Sequence, residues 1–173
     1  MLKIIKAKSP QSNFYGVDLI QYPDADHFEL IKQNLNSSFT FEVSELNLII
    51  STEVIEHLEN PRLFIREITK KLRSGGKIII TTPNPYSLLS LLSFCLKGYH
   101  SSFGPKDYPA HITPITPYQL MNIVNEIDKI EVEELSYIPN GRIPGTGIRY
   151  TKILPFLKGK YFSDNYCCVI KKK

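Results

Sequence analysis

Leu46-Asn47-Leu48-Ile49-Ile50-Ser51 and Lys77-Ile78-Ile79-Ile80-Thr81-Thr82, joined through Asn60-Pro61-Arg62-Leu63-Phe64-Ile65-Arg66-Glu67-Ile68-Thr69-Lys70-Lys71-Leu72-Arg73-Ser74-Gly75-Gly76, decide the fold. The first hexapeptide is almost continuously apolar and the second nearly so, as strands covered on both faces tend to be. Between them Asn60 offers a side-chain oxygen to the first free amides of a helix. Pro61 takes the position where a missing amide costs nothing. Phe64, Ile65, Ile68 and Leu72 recur at helical spacing, and Lys70, Lys71 and Arg73 bring positive charge to the carboxyl end of the dipole. Ser74-Gly75-Gly76 is expected to stop the helix in a turn, and Pro83-Asn84-Pro85 closes the second strand. Strand, helix, glycine turn and strand make a βαβ crossover, which sets two strands parallel in one sheet.

Working upstream, Asn13 to Ile20 is an aromatic and β-branched run that reads as a buried strand ending near Asp18. Tyr22 to Asp26 reads as a turn, and Phe28 to Lys32 as a second strand running into Gln33, Asn34, Leu35 and Asn36. Met1 to Lys8, ended by Pro10, leans towards the last turns of a helix. Downstream, Tyr86 to Leu96 is a leucine-dense helix whose simplest explanation is burial against the sheet, and Gly98 to Thr113 is a long polar and aromatic loop. Thr116-Pro117 starts another helix, with Leu120, Val124 and Ile127 on its core face. Lys129 to Ile138 and Tyr166 to Ile170 are strands around the glycine- and proline-rich loop Pro139 to Gly147. Alternating strands and helices predict an α/β fold, one domain over residues 1–173, with an insertion at about 86–113.

Composition removes other classes. With 173 residues, 42% hydrophobic and 22% charged, the chain is neither disordered nor fibrous. Its net charge is +4, but Lys171, Lys172 and Lys173 form the terminus and leave only about +1 for the body, so no nucleic-acid footprint is expected. Those lysines read as a solvated tail. Cys95, Cys167 and Cys168 offer no CxxC spacing and an adjacent pair unsuited to an ordinary disulfide; no metal ligands are assigned, and a reducing, cytoplasmic setting fits best. No apolar run approaches a membrane span, so stable membrane insertion is not expected.

Open α/β sheets bind ligands beyond the carboxyl ends of their strands. That rule selects Asp18, Asn34, Ser51 to Glu53 and Thr82 to Asn84, four polar clusters expected to converge on one rim.

The order Tyr15-Gly16-Val17-Asp18, Asn34-Leu35-Asn36, Leu48-Ile49-Ile50-Ser51-Thr52-Glu53-Val54-Ile55-Glu56-His57-Leu58 and Leu72-Arg73-Ser74-Gly75-Gly76-Lys77-Ile78-Ile79-Ile80-Thr81-Thr82-Pro83-Asn84 resembles the class I S-adenosylmethionine-dependent methyltransferases. His111 before Thr116-Pro117-Tyr118-Gln119-Leu120 looks like their small-molecule branch (types 11 and 23). The resemblance implies a Rossmann-like sheet, S-adenosylmethionine as cofactor and a small-molecule acceptor. It places Asp18 on the two ribose hydroxyls, which suits a carboxylate's two acceptor oxygens. Asn34, where the family usually has Asp, would stand beside the adenine, with Leu35 against the ring. Ser51, Thr52 and Glu53 would line the methionine side, and Val54 and Ile55 would pack.

Methyl transfer needs a base only when the acceptor must lose a proton. His111 and His57 are the candidates, with Tyr108 third. His57 reads more readily as a helix-start residue holding a neighbouring loop, and Glu56 as a cap or a partner of backbone amides. Substrate selection is assigned to Tyr86 to Thr113.

One departure is informative. No strand with a glycine-rich loop of the Asp-x-Gly-x-Gly-x-Gly type precedes Phe14, and Gly145-Thr146-Gly147 reads as a turn. The expectation is an N-terminally truncated sheet with a strand absent between Phe14 to Ile20 and Leu46 to Ser51. Exposed edges would then favour a homo- or hetero-oligomer. The alternative to an enzyme is a non-catalytic binding or scaffold module of the same fold.

Overall fold

Strands joined through a helical crossover pair in parallel. The computed structural model describes residues 12–20 and 28–173, and the chain divides into two units, 1–42 and 43–173. In the first unit β1 (Tyr15–Asp18) pairs in parallel with β2 (Glu29–Lys32), from Tyr15 opposite Glu29 to Asp18 opposite Lys32. Gly16 is there because of Phe28: a Cβ at that position would lie 2.4 Å from the Phe28 ring. The expected helix end at Met1 to Lys8 and turn at Tyr22 to Asp26 lie outside the described residues.

The second unit is a mixed α/β layer. Its elements run β3 (Leu46–Thr52), a 3-10 turn at Ile55–His57, α1 (Pro61–Lys71), β4 (Leu72–Pro83), α2 (Leu88–Lys97), α3 (Pro117–Asn125), β5 (Ile130–Ile138), α4 (Tyr150–Ile153) and β6 (Asn165–Lys172). The four strands are ordered β3-β4-β6-β5. β3 and β4 are parallel across α1, as the crossover predicts, whereas β6 is antiparallel to both of its neighbours. The carboxyl ends of β3, β4 and β5 therefore share one rim with the start of β6. Among the described residues β1 and β3 belong to separate sheets.

Local chemistry explains the helices. The Asn60 side chain accepts the Leu63 amide at 2.9 Å, and Pro61 opens α1. Phe64, Ile65, Ile68 and the following Leu72 are buried, so the helical spacing identifies the buried face. A reciprocal capping box starts α3, the Thr116 hydroxyl accepting the Gln119 amide while the Gln119 side chain accepts the Thr116 amide. The core continues through Ile55, Ile78, Ile80, Leu120, Val124, Tyr166 and Ile170, all fully buried.

Three expectations need correction. The glycines do not form a separate turn: β4 starts directly at Leu72, and its register against β3 passes from Leu46–Leu72 to Leu48–Lys77, so Arg73 to Gly76 bulge from the ladder. Gly75 supplies the left-handed backbone there, at φ +74°, and a Cβ on Gly76 would meet the Leu46 carbonyl at 2.9 Å. The leucine-dense helix is not buried against the sheet. In α2 only Ser90 is buried, while Leu92, Phe94 and Leu96 are exposed. Apolar residues on nearly every face leave no single stripe that one sheet could cover. Nor are the last lysines a loose tail, since Lys171 and Lys172 belong to β6. The Lys172 ammonium donates to the carbonyls of Thr69 and Leu72, capping the carboxyl end of α1.

Candidate functional site

In the first unit, parallel pairing brings the carboxyl ends of β1 and β2 to the same edge. Asp18 and Asn34 therefore stand at one rim, where the Gln33 amide donates to the Asp18 carbonyl at 2.9 Å. The Asp18 carboxylate accepts the Ile20 amide at 3.0 Å, which turns the chain out of β1. Asn34 makes the equivalent turn after β2, its Oδ1 accepting the Asn36 amide at 2.9 Å, with Leu35 half-buried beside it. The predicted trio Asp18, Asn34 and Leu35 is thus brought together on an exposed acidic and amide edge.

In the second unit the rim of β3, β4 and β6 carries two carboxylates, Glu53 and Glu56. Glu53 follows β3 directly and has a left-handed backbone, φ 52°, a conformation that costs a residue with a Cβ. Its amide is held by the Thr81 carbonyl at 2.9 Å. Its side chain accepts the Thr81 hydroxyl on one oxygen at 2.9 Å and the Asn165 amide on the other at 2.8 Å. Asn140 donates to Asn165 Oδ1 at 2.7 Å and accepts the Asp164 amide at 2.9 Å, so the orientation of Glu53 is referred to residues at the ends of β4, β5 and β6. Thr52 is exposed. Ser51 is 5% exposed and its hydroxyl has no hydrogen-bond partner.

Glu56 lies in the 3-10 turn and is fully buried. One carboxylate oxygen accepts the Thr82 hydroxyl at 2.9 Å, and the other has no hydrogen-bond partner. Burial pushes the Glu56 carboxyl above its ordinary value, against the lowering influence of its own amide and of Thr82. The Glu56 carbonyl also accepts the amides of Ile112 and Thr113, both at 3.0 Å. The loop carrying His111 is thereby stitched to the turn carrying Glu56 and His57.

The two histidines meet as a result. Their ring centroids are 4.7 Å apart, edge to face. His57 Nδ1 is 2.7 Å from the Ala110 carbonyl and His111 Nδ1 is 2.7 Å from the Ser102 carbonyl. A carbonyl only accepts, so each Nδ1 carries the proton, and in the neutral rings each Nε2 is a lone-pair acceptor. His57 Nε2 stands 4.0 Å from Glu56 Oε1. Glu56, His57 and His111 each offer a ligand atom within 4.8 Å of the others, a grouping that could hold a cation although the sequence pattern assigns no metal ligand. His57 performs its loop-holding role and remains in the cluster.

Asn84 anchors rather than faces the rim, its amide donating to the carbonyls of Lys160 at 2.7 Å and Ser163 at 2.8 Å. Tyr108, the third base candidate, is 72% exposed. The residues that sequence reasoning missed are Thr81, Asn140 and Asn165. Nothing local marks Asn165, whose bond to Glu53 joins positions 112 apart in the chain.

Comparison with known proteins agrees with this architecture. A methyltransferase-domain family model matches residues 1–128. The ubiquinone biosynthesis O-methyltransferase of Rickettsia conorii is 32% identical over 92 residues, which is 51% of this chain and 30% of that protein. The match thus spans under a third of that relative's length. A solved S-adenosylmethionine-dependent methyltransferase from Archaeoglobus fulgidus superposes with TM-score 0.57 at 21% identity, over 98% of this chain and 80% of its own. A methyltransferase solved in complex with the Trm112 methyltransferase activator, from Haloferax volcanii, gives TM-score 0.64 at 14% identity over 99% and 76%. At these identities the structures speak for the fold.

Proposed function

The chain belongs to the methyltransferase-domain family, and from that premise we propose that it transfers the methyl group of S-adenosylmethionine to a hydroxyl oxygen of a small molecule. The observation that carries this reading is the histidine pair, with both Nδ1 protons committed to backbone carbonyls and both Nε2 atoms left as acceptors.

The donor set suits the cofactor. Asp18 is given the ribose hydroxyls, since its carboxylate stands at a strand end and a carboxylate suits a vicinal diol. Asn34 and Leu35 are given the adenine edge and face. Glu53, held by Thr81 and Asn165, is given the methionine end with Ser51 and Thr52, where a fixed carboxylate suits an ammonium group. The bound cofactor supplies an electrophilic methyl on a sulfonium.

The chain's own contribution is positioning and proton removal. His111 Nε2 would accept the acceptor's hydroxyl proton, leaving an imidazolium beside His57 and the Glu56 carboxyl, while the cofactor, when bound, would supply the methyl and leave as the thioether that keeps the electron pair of the broken S–C bond. Ser102 holds the His111 ring and Ala110 the His57 ring, so neither must reorient. The acceptor is a hydroxylated metabolite, and the name of the Rickettsia relatives favours O-methylation of a ubiquinone precursor. The segment at 86–113 selects it, the whole chain serving as one methyltransferase domain. A cytoplasmic setting fits the three free cysteines, and association through sheet edges fits exposed Leu48 on the edge strand β3.

A second reading rests on the three converging donors: Glu56, His57 and His111 hold a divalent cation that binds the acceptor oxygen. Nδ1–H bonds to backbone carbonyls are how ligating histidines are ordinarily oriented. Calorimetric titration with S-adenosylmethionine, followed by methyl transfer to phenolic and catecholic acceptors with and without a chelator, tests both. Binding that Asp18→Ala abolishes, with transfer insensitive to chelator, supports the base. Chelator-sensitive transfer supports the cation, and tight cofactor binding without transfer to any acceptor returns the chain to a binding module.

A further inference from the structure

Asn84 stands two residues, roughly 7 Å of extended chain, beyond Thr82, whose hydroxyl binds the Glu56 carboxylate. Asn84 is buried, and its side chain holds two distant segments at one place. Its Oδ1 accepts the Tyr86 amide at 3.0 Å, while its Nδ2 donates to the Lys160 carbonyl at 2.7 Å and the Ser163 carbonyl at 2.8 Å. The Leu88 amide fixes Tyr161 in turn, donating to its carbonyl at 2.8 Å. As a result the Lys160 ammonium lies 4.1 Å from the centre of the Tyr86 ring and 5.5 Å from that of Tyr161. Both distances are within the range at which a ring face attracts a cation. Tyr137 of β5 belongs to the same group. Burial first, and then the Tyr86 and Tyr161 phenols, push its hydroxyl above the ordinary value, so it stays a donor at neutral pH.

The ammonium so placed has no counter-ion: among the described residues no carboxylate pairs with Lys160. Asp164, four residues on, is committed to Arg142 at 2.8 Å, and Glu53 at the rim is committed to Thr81 and Asn165. A surface lysine ordinarily keeps its rotamer freedom. This one has its backbone clamped by a buried side chain and its ammonium laid on two aromatic faces, at the sheet end where such folds bind ligands. We propose that Lys160 reads an anionic group on the acceptor, so that the molecule methylated carries a carboxylate or a phosphate on an aromatic frame that the tyrosines face. The rings alone would do the opposite. A tyrosine face is negative and repels an anion, and the lysine in front of two such faces reverses the sign they present. The inference rests on the methyl-transfer reading for calling this molecule an acceptor, and it extends acceptor selection beyond 86–113 to the loop before β6.

Equilibrium binding to the full chain, with and without S-adenosylhomocysteine, tests this without requiring turnover. The probes are meta-hydroxyphenylacetate, its methyl ester and meta-hydroxyphenyl phosphate, which share a ring and a hydroxyl and differ in charge. The acid or the phosphate is expected to bind about tenfold more tightly than the neutral ester, as a charge-assisted bond allows, and the tighter of the two names the group. Lys160→Met, which keeps an apolar stem, removes that preference, and Lys160→Arg retains it. The preference is a ratio read within each variant, so a partial loss of folded protein cancels. Equal affinity for charged and neutral probes, a preference that survives Lys160→Met, or no binding of any probe overturns the inference. Methyl transfer is then followed on the same three probes. Transfer to the ester ahead of both anions overturns the inference and leaves the methyl-transfer reading intact. Anion binding that Lys160→Met abolishes, with no transfer to any probe, upholds the anion site and overturns the methyl-transfer reading instead.

Discussion

Glu53 and Glu56 are three residues apart at one sheet end, yet the fold treats them oppositely. Glu53 is exposed, and both of its oxygens are occupied, by Thr81 and Asn165. Glu56 is fully buried, with one oxygen on Thr82 and the other unpartnered, 4.0 Å from His57. An exposed, fully bonded carboxylate is a fixed charge, suited to orienting a cation. A buried, half-bonded carboxylate is a stressed group whose proton is retained above the usual range and whose free oxygen invites a partner. On the proposed reading the contrast separates binding from chemistry, the Glu53 network positioning the cofactor and the Glu56–His57–His111 cluster handling a proton or a cation.

The largest effect expected from that division is on turnover. Under the base reading, His111→Ala lowers methyl transfer by roughly 10²–10⁴-fold while cofactor affinity stays within about twofold, because the ring serves the acceptor. Single-turnover rates and calorimetric affinities measured on one preparation check both halves. A matched loss of affinity would merge the two sites and break the comparison.

Next comes stability. Glu56→Ala strands the buried Thr82 hydroxyl, at a cost of about 1–3 kcal/mol, whereas Glu56→Gln keeps an acceptor for it. The glutamine also removes a titration. Burial raises the Glu56 carboxyl in the folded chain above its unfolded value, so the folded state holds the proton longer. Wild-type stability is therefore retained below the unfolded value and falls as pH rises through the interval up to the folded value. Glu56→Gln has no such loss. Urea denaturation across the acid-to-neutral range should show the variant gaining on wild type within that interval and levelling above it. A constant difference at every pH would mean that Glu56 ionises in the fold as it does unfolded.

What the sequence revealed, and what it hid, follows the reach of each interaction. The βαβ unit was legible because Asn60, Pro61 and the Phe64–Ile65–Ile68–Leu72 spacing act over a few residues, and the crossover obliges β3 and β4 to be parallel. Asp18 and Asn34 were legible as strand-end residues, and their common edge follows from parallel pairing. The Glu53–Asn165 bond was not legible, since it needs β6 to return antiparallel beside β4. The setting of Glu56 was hidden for a related reason: its carbonyl is bonded by the amides of Ile112 and Thr113, residues far along the chain. Tyr86 to Leu96 misled in the other direction. Leucine density signals burial on average, and here Leu92, Phe94 and Leu96 are exposed and only Ser90 is buried.

The smallest effect sharpens the comparison at Glu53. Its left-handed backbone is unfavourable for any residue with a Cβ, by roughly 1–2 kcal/mol, and glycine avoids that cost. Glu53→Ala and Glu53→Gly both remove the bonds to Thr81 and Asn165, but only alanine retains the strain. Glycine adds unfolded-chain entropy that offsets part of its gain, so the glycine variant should be more stable than the alanine variant by about 1 kcal/mol. Both should bind S-adenosylmethionine more weakly than wild type if the fixed carboxylate meets the methionine end. Denaturation midpoints and calorimetry on the pair separate the two roles. Equal stability would show that the backbone relaxes once the carboxylate is gone, making the side-chain bonds the cause of the left-handed turn. A more stable glycine variant would show that β3 imposes the turn and the carboxylate exploits it.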